Sequence, residues 1–72
     1  MPIEVRISEP LLLDELIAAL LRNGCLAHRV AADSCLVIHV EASHGGEARQ
    51  ELAFFLRAWQ LRHSKAAAFV VS

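Results

Sequence analysis

Hydrophobic and polar positions alternate along the first segment of the chain. The odd positions from Ile3 to Ile7 are apolar, whereas the even positions carry Glu4 and Arg6. A period of two is typical of a strand that buries one face. The pattern therefore predicts a strand over residues 2–8 whose polar side faces away from the core.

The next segment has the period of a helix. Ser8-Glu9-Pro10 offers a capping serine and a proline that a first helical turn tolerates, and Asn23-Gly24 offers a left-handed stop. These signals predict a helix over residues 9–23. Its apolar positions recur every three or four residues and form one face. They are Leu12, Leu13, Leu16, Ile17 and Leu20, whereas Leu11 and Leu21 lie off this face.

Two apolar runs then surround a short polar stretch, which predicts a hairpin of strands over residues 25–31 and 35–41. If Asp33-Ser34 is a two-residue loop, Val30 pairs with Val37 and His28 pairs with His39.

This register directs Leu36, Ile38 and Val40 toward the helices. The opposite face of the hairpin would then carry Leu26, His28, Val30, Cys35, Val37 and His39. The same assignment puts Cys25 and Cys35 on opposite faces, where their side chains diverge, and predicts free thiols rather than a disulfide.

Helical periodicity returns over residues 46–63, and the β-branched and aromatic segment 65–72 predicts a last strand. The core face of the second helix carries Ala48, Leu52, Phe55, Leu56 and Trp59. A second stripe, Phe54, Ala58 and Leu61, lies nearly opposite Trp59. In the last strand, either Phe69 and Val71 or Ala68 and Val70 face outward, since the pattern leaves the register open.

The order β-α-β-β-α-β predicts an α+β fold in a single domain spanning residues 1–72. We expect a ferredoxin-like two-layer sandwich, in which two helices cover one face of a four-stranded antiparallel sheet and the first and third strands are central. The element order and length resemble several ferredoxin-like families, including amino-acid-sensing ACT domains and heavy-metal-associated domains. The resemblance is one of topology, because the loop after the first strand, Ser8-Glu9-Pro10, carries neither the cysteine pair of the metal domains nor the glycine usual in ACT domains.

Composition adds an expectation about partners. The chain is 56% hydrophobic before its three glycines are counted, whereas about 45–50% is usual with glycine included. A domain of 72 residues buries only about 60% of its unfolded surface. The surplus predicts a homo-oligomer, most simply a twofold dimer.

Charge and hydropathy disfavour other classes of partner. The formal net charge is −1, which provides no basic patch for nucleic acid. No apolar run approaches the ~18 residues needed to span a bilayer, and the N-terminus lacks the pattern of a signal peptide. We therefore expect a cytoplasmic protein that binds neither nucleic acid nor membrane.

The stretch Val40–Glu47, VEASHGGE, concentrates potentially reactive residues. It matches no phosphate-binding loop, and Ser43 next to His44 lacks the orienting third group of a catalytic triad. We interpret Ser43 as a helix cap and Gly45-Gly46 as the turn before the second helix. No set of residues converges as a catalytic centre, so we expect no enzymatic activity and no obligatory cofactor.

Two functional hypotheses follow. The first is a non-catalytic association module, a homodimer or docking subunit, whose interface candidates are Phe54, Ala58, Leu61, Val30 and Val37. The alternative is a small-ligand or metal-binding, sensor-like domain that uses the open sheet face. Its candidate ligand-binding residues are Glu4, Arg6, His28 and His39, with His28 and His39 as metal ligands.

Overall fold

The chain folds into four strands and two α-helices, which confirms the predicted α+β class and the four-stranded antiparallel sheet. The computed structural model describes residues 2–39 and 45–71. The strands are β1 (Ile3–Ile7), β2 (Cys25–Ala31), β3 (Ser34–His39) and β4 (Ala68–Val70). The helices are α1 (Leu13–Arg22), preceded by a 3-10 turn at Pro10–Leu12, and α2 (Gly45–Arg62).

The four strands are ordered β2-β3-β1-β4, and each neighbouring pair is antiparallel. The first and third strands are therefore central, as the sequence predicts. Val5 lies at the middle of the sheet, opposite Cys35 in β3 and Val70 in β4.

One hydrophobic core lies between the helices and one face of the sheet. The apolar side of β1 faces this core, and Glu4 and Arg6 lie on the opposite side. The predicted helical core faces are confirmed, although Leu12, Ile17 and Phe55 are only partly buried at the margin. The fully buried helical side chains are Leu13, Leu16, Leu20, Leu52, Leu56 and Trp59.

The connection from β1 to α1 differs from the predicted cap. Glu9, not Ser8, caps the 3-10 turn, and its Oε1 accepts a hydrogen bond from the Leu11 backbone N–H at 3.4 Å. The Ser8 hydroxyl oxygen instead accepts from the Ala67 N–H at 2.8 Å. Ser8 therefore joins the end of β1 to the segment that precedes β4.

The hairpin contains a bulge that the sequence does not predict. Its turn is formed by residues 32–33, and Ala31 pairs with Ser34. The register then shifts between Arg29 and Ala31, which leaves Val30 at a β-bulge. A shift of one residue exchanges the two faces of a strand.

The bulge exchanges the predicted faces of β3. Cys35 and Val37 are fully buried against the helices, whereas Leu36 and Ile38 lie on the open face. The predicted assignment of β3 residues is therefore inverted, and the predicted pair of Val30 with Val37 is wrong.

The predictions for residues 40–44 lie outside the described residues, including the orientation of Val40 and the capping role of Ser43. The structure places Gly45 and Gly46 within α2. The sequence analysis predicts that these two glycines form a separate turn before the helix, and this prediction is wrong.

Candidate functional site: the open face of the sheet

The sheet face that turns away from the helices, here called the open face, is largely apolar. Leu26 in β2, Ile38 in β3 and Phe69 in β4 are 57%, 42% and 47% exposed, and Val71 directly after β4 is 41% exposed. Of the two alternatives for the last strand, Phe69 and Val71 face outward. A shallow cleft of about 280 Å³ on this face is lined by Pro2, Leu26, Ala27, His28, Leu36 and Ile38.

Two opposite charges lie in the middle of the open face. The Arg6 guanidinium is 3.7 Å from the Glu4 carboxylate, and both side chains are partly accessible to solvent. Both residues belong to the central strand β1, where alternate positions share a face. Leu36 pairs with Glu4 on one side, and Phe69 pairs with Arg6 on the other. The ion pair therefore has an apolar neighbour on each side, Leu36 beside Glu4 and Phe69 beside Arg6, whereas Ser34 pairs with Arg6 on the β3 side.

The structure does not bring the predicted histidine pair together. His28 pairs with Leu36, and the backbone of His39 pairs with Cys25. The predicted cross-strand pair of His28 with His39 is wrong because the bulge and the earlier turn shift the register. His28 is exposed at the edge of the open face, two strands away from Glu4.

The described residues hold no group of three or more histidine, cysteine or carboxylate side chains that could coordinate a metal ion. The metal hypothesis depends on a cross-strand pair of His28 and His39 that supplies two of the ligands. The structure does not contain this pair.

Both cysteines lie in the core, which corrects their predicted placement on opposite faces. Cys25 and Cys35 are free and buried. Burial raises the pKa of the Cys25 thiol, and the nearby negative charge of Glu51 adds to this rise. Burial also raises the pKa of Cys35, against a smaller opposing effect of the Arg29 charge. Protonated, buried thiols are poor nucleophiles, so neither cysteine has the environment of a catalytic residue.

The predicted interface candidates fall into three environments. Val37 is fully buried in the core and cannot contact a partner in the folded chain. Val30 is 48% exposed at the bulge of the edge strand β2. Phe54, Ala58 and Leu61 form an exposed stripe on the back of α2.

The sequence analysis does not predict the polar cluster that lies between the two helices, around His63 directly after α2. The His63 ring stacks on Trp59 with centroids 4.1 Å apart. Its Nδ1 is 3.0 Å from the Trp59 carbonyl oxygen, and its Nε2 is 3.2 Å from Glu15 Oε1. The spacing of four between Trp59 and His63 was the available sequence signal.

This cluster holds α2 to α1 and covers the largest core side chain. The indole Nε1 of Trp59 is buried and has no hydrogen-bond partner among the described residues. It is inaccessible to solvent, so it cannot reach a ligand without movement of its neighbours. The adjoining cleft of about 150 Å³ is lined by Glu15, Ala19, Arg22, Trp59, Arg62 and His63.

The comparisons with known proteins place the chain in no family. No family model matches the chain, and neither the curated proteins nor the solved structures contain a significant match. Within the described residues, neither helix combines the length and the apolar character needed to cross a bilayer.

Proposed function

We propose that this chain is a non-catalytic association module and that its open face is covered by a second copy of the chain. The observation that supports this proposal is the group of partly exposed, large apolar side chains on the open face. Contiguous apolar surface of a few hundred Å² on a soluble domain usually marks a contact site.

The size of the chain favours the open face over smaller surfaces. Its accessible surface is 4512 Å², and a stable interface buries about 800 Å² per partner. More than a sixth of the molecule must therefore be covered. A sheet face four strands wide is a broad surface, whereas the α2 stripe is a single row of three residues.

Charge supports a second copy as the occupant. Among the described residues of the open face, Glu4 is the only acidic residue and Arg6 is the only arginine or lysine. Their formal charges therefore cancel. Two identical faces therefore meet without net repulsion between full charges. Closed twofold dimers are also the commonest soluble assemblies.

We also propose that the fold belongs to the ferredoxin-like class. The supporting observations are the alternation of strands and helices along the chain and the central positions of β1 and β3. A fold of this class does not specify a function, so the proposed role depends on the surface alone.

The test is Phe69→Glu, with the oligomeric state measured by sedimentation equilibrium. Phe69 is on the surface, and a glutamate there lies beside Arg6 of its own chain, so the fold should tolerate it. We expect the wild-type chain to form a dimer at micromolar concentration. We expect the variant to be monomeric at 7.9 kDa, because one carboxylate per copy must be desolvated on association.

Phe54→Glu is the matched control. It introduces the same substitution at a phenylalanine that is 64% exposed on the back of α2, and we expect it to leave the dimer intact. Dissociation by Phe54→Glu but not by Phe69→Glu would assign the interface to the α2 stripe. A monomeric wild-type chain would overturn the proposed function.

A further inference from the structure

We infer that two reciprocal ion pairs lie at the centre of the dimer interface, with Glu4 of each copy bound to Arg6 of the other. This inference rests on the proposed function, and it specifies the contact that fixes how the two copies are oriented. The observation behind it is the position of one acid and one base, two residues apart, on the open side of a central strand.

The contact within one chain leaves most of the hydrogen-bonding capacity of both groups unused. Its 3.7 Å separation is longer than the ~2.7–2.9 Å of a charge-assisted hydrogen bond. A guanidinium has five N–H donors, and a carboxylate has two acceptor oxygens. Both side chains are partly exposed in the single chain, so water can reach these groups.

A purely apolar partner would remove that water and supply nothing in its place. Desolvated charges are costly unless an opposite charge and further hydrogen bonds compensate. A second copy supplies the required groups, one arginine for the glutamate and one glutamate for the arginine.

The geometry of β1 selects one twofold axis. An axis that crosses β1 at right angles, at the level of Val5, places Glu4 of one copy over Arg6 of the other. An axis parallel to the strand and directly above it would place Glu4 over Glu4 and Arg6 over Arg6. Like charges placed opposite each other are destabilising, so the perpendicular axis is preferred.

The same axis also matches the apolar residues of β4. The Val71 N–H donates to the Glu4 carbonyl oxygen at 2.8 Å, and Phe69 pairs with Arg6. Val71 therefore lies beside Glu4, and Phe69 lies beside Arg6. When Glu4 is placed over Arg6 of the second copy, Val71 is placed over its Phe69. A single axis thus joins acid to base and apolar side chain to apolar side chain.

The experiment uses charge reversal with two variants and their mixture. Glu4→Arg has arginines at both positions, and Arg6→Glu has glutamates at both. Each variant alone faces only like charges across the axis, and we expect its dimer dissociation constant to rise at least ~100-fold. An equimolar mixture restores both interchain pairs, so we expect a heterodimer within ~10-fold of the wild-type affinity, detected by native mass spectrometry.

The mixture separates an interface effect from a folding effect. Each variant also loses the contact between its own residues 4 and 6, and mixing cannot restore that contact. Circular dichroism of each separate variant provides the folding control. The doubly reversed chain E4R/R6E is a second check, and we expect it to dimerise like the wild type.

Two outcomes would overturn the inference. In the first, neither reversal weakens the dimer, although Phe69→Glu dissociates it; the open face is then the interface, but its charges do not meet. In the second, both reversals dissociate the dimer and the mixture forms no heterodimer. A wild-type chain that is monomeric in the same measurement would instead remove the proposed function itself.

Discussion

Cys35 illustrates, at the scale of a single residue, how burial controls chemistry in this protein. The side chain is fully buried in the middle of the sheet, opposite Val5, and the pKa of its thiol is raised because burial disfavours the thiolate. Cys25 is buried in the same core, and its pKa is raised for the same main reason. Both cysteines therefore act as small hydrophobic side chains.

The raised thiol pKa values lead to an expected pH dependence of stability. Both thiols have folded pKa values above the ordinary value of 9.0, so above that pH the unfolded state releases protons that the folded state retains. The free energy of unfolding must then decrease as the pH rises past 9. We expect urea midpoints to fall between pH 8 and pH 10.

The control for this prediction is the variant with alanine at both Cys25 and Cys35. It is less stable overall, but its midpoint should fall less over the same pH interval, because the two thiols no longer titrate. An equal fall in both proteins would show that other groups cause the pH dependence.

At the scale of elements, the hydrophobic period was sufficient to predict the type and approximate position of each strand and helix. The boundaries of β2 coincide with the prediction, and those of α2 differ by one residue at each end. The period is a local property of the sequence, since it reports which face of an element is buried. For the same reason it cannot fix how two strands are aligned.

The register of the hairpin shows this limit. The sequence analysis predicts a loop at Asp33-Ser34, whereas the turn uses residues 32–33 and a bulge at Val30 precedes it. A bulge adds one residue to one strand and leaves no clear mark in the apolar pattern. The error therefore carried over to the whole of β3, including Val37 and the histidine pair.

The turn between α1 and β2 was predicted correctly, and it allows a test. Gly24 has φ +84°, in the left-handed region that favours glycine. An added Cβ would meet no atom within 4 Å, so a substitution changes the backbone energy alone. We expect Gly24→Ala to lower the free energy of unfolding by about 1 kcal/mol, as measured by urea denaturation.

Gly24→Asn is the matched comparison for this position. Asparagine tolerates the left-handed region better than alanine does, so its cost should be clearly smaller. If the two variants lost equal stability, the backbone conformation at residue 24 would not be the cause.

At the scale of the whole molecule, the excess of apolar residues proved a better guide than any motif. It predicted uncovered hydrophobic surface, and the structure has such surface on the open face and on the back of α2. The candidate site was predicted in part, because Glu4, Arg6 and His28 lie on or at the edge of the open face. Ile38 was missed because the bulge reversed the faces of β3.

If the open face is covered by a second copy, the stability of the chain must depend on its concentration. A dimer that unfolds to two separate chains gains stability by mass action as the concentration rises. A 100-fold increase is worth about 2.7 kcal/mol per dimer. For a domain of this size, that corresponds to a rise of about 5 °C or more in the unfolding midpoint. We expect differential scanning fluorimetry to show this rise in the unfolding midpoint of the wild-type chain between about 2 and about 200 µM.

The Phe69→Glu variant should have the same midpoint at every concentration, because a monomer unfolds without a change in the number of molecules. At high concentration the wild-type chain should therefore be the more stable protein. At low concentration the two midpoints should converge, since the Phe69 side chain is 47% exposed in the single chain and would gain further contacts only from a second copy. A concentration-independent midpoint for the wild type would mean that the 72-residue chain is stable with its open face in water.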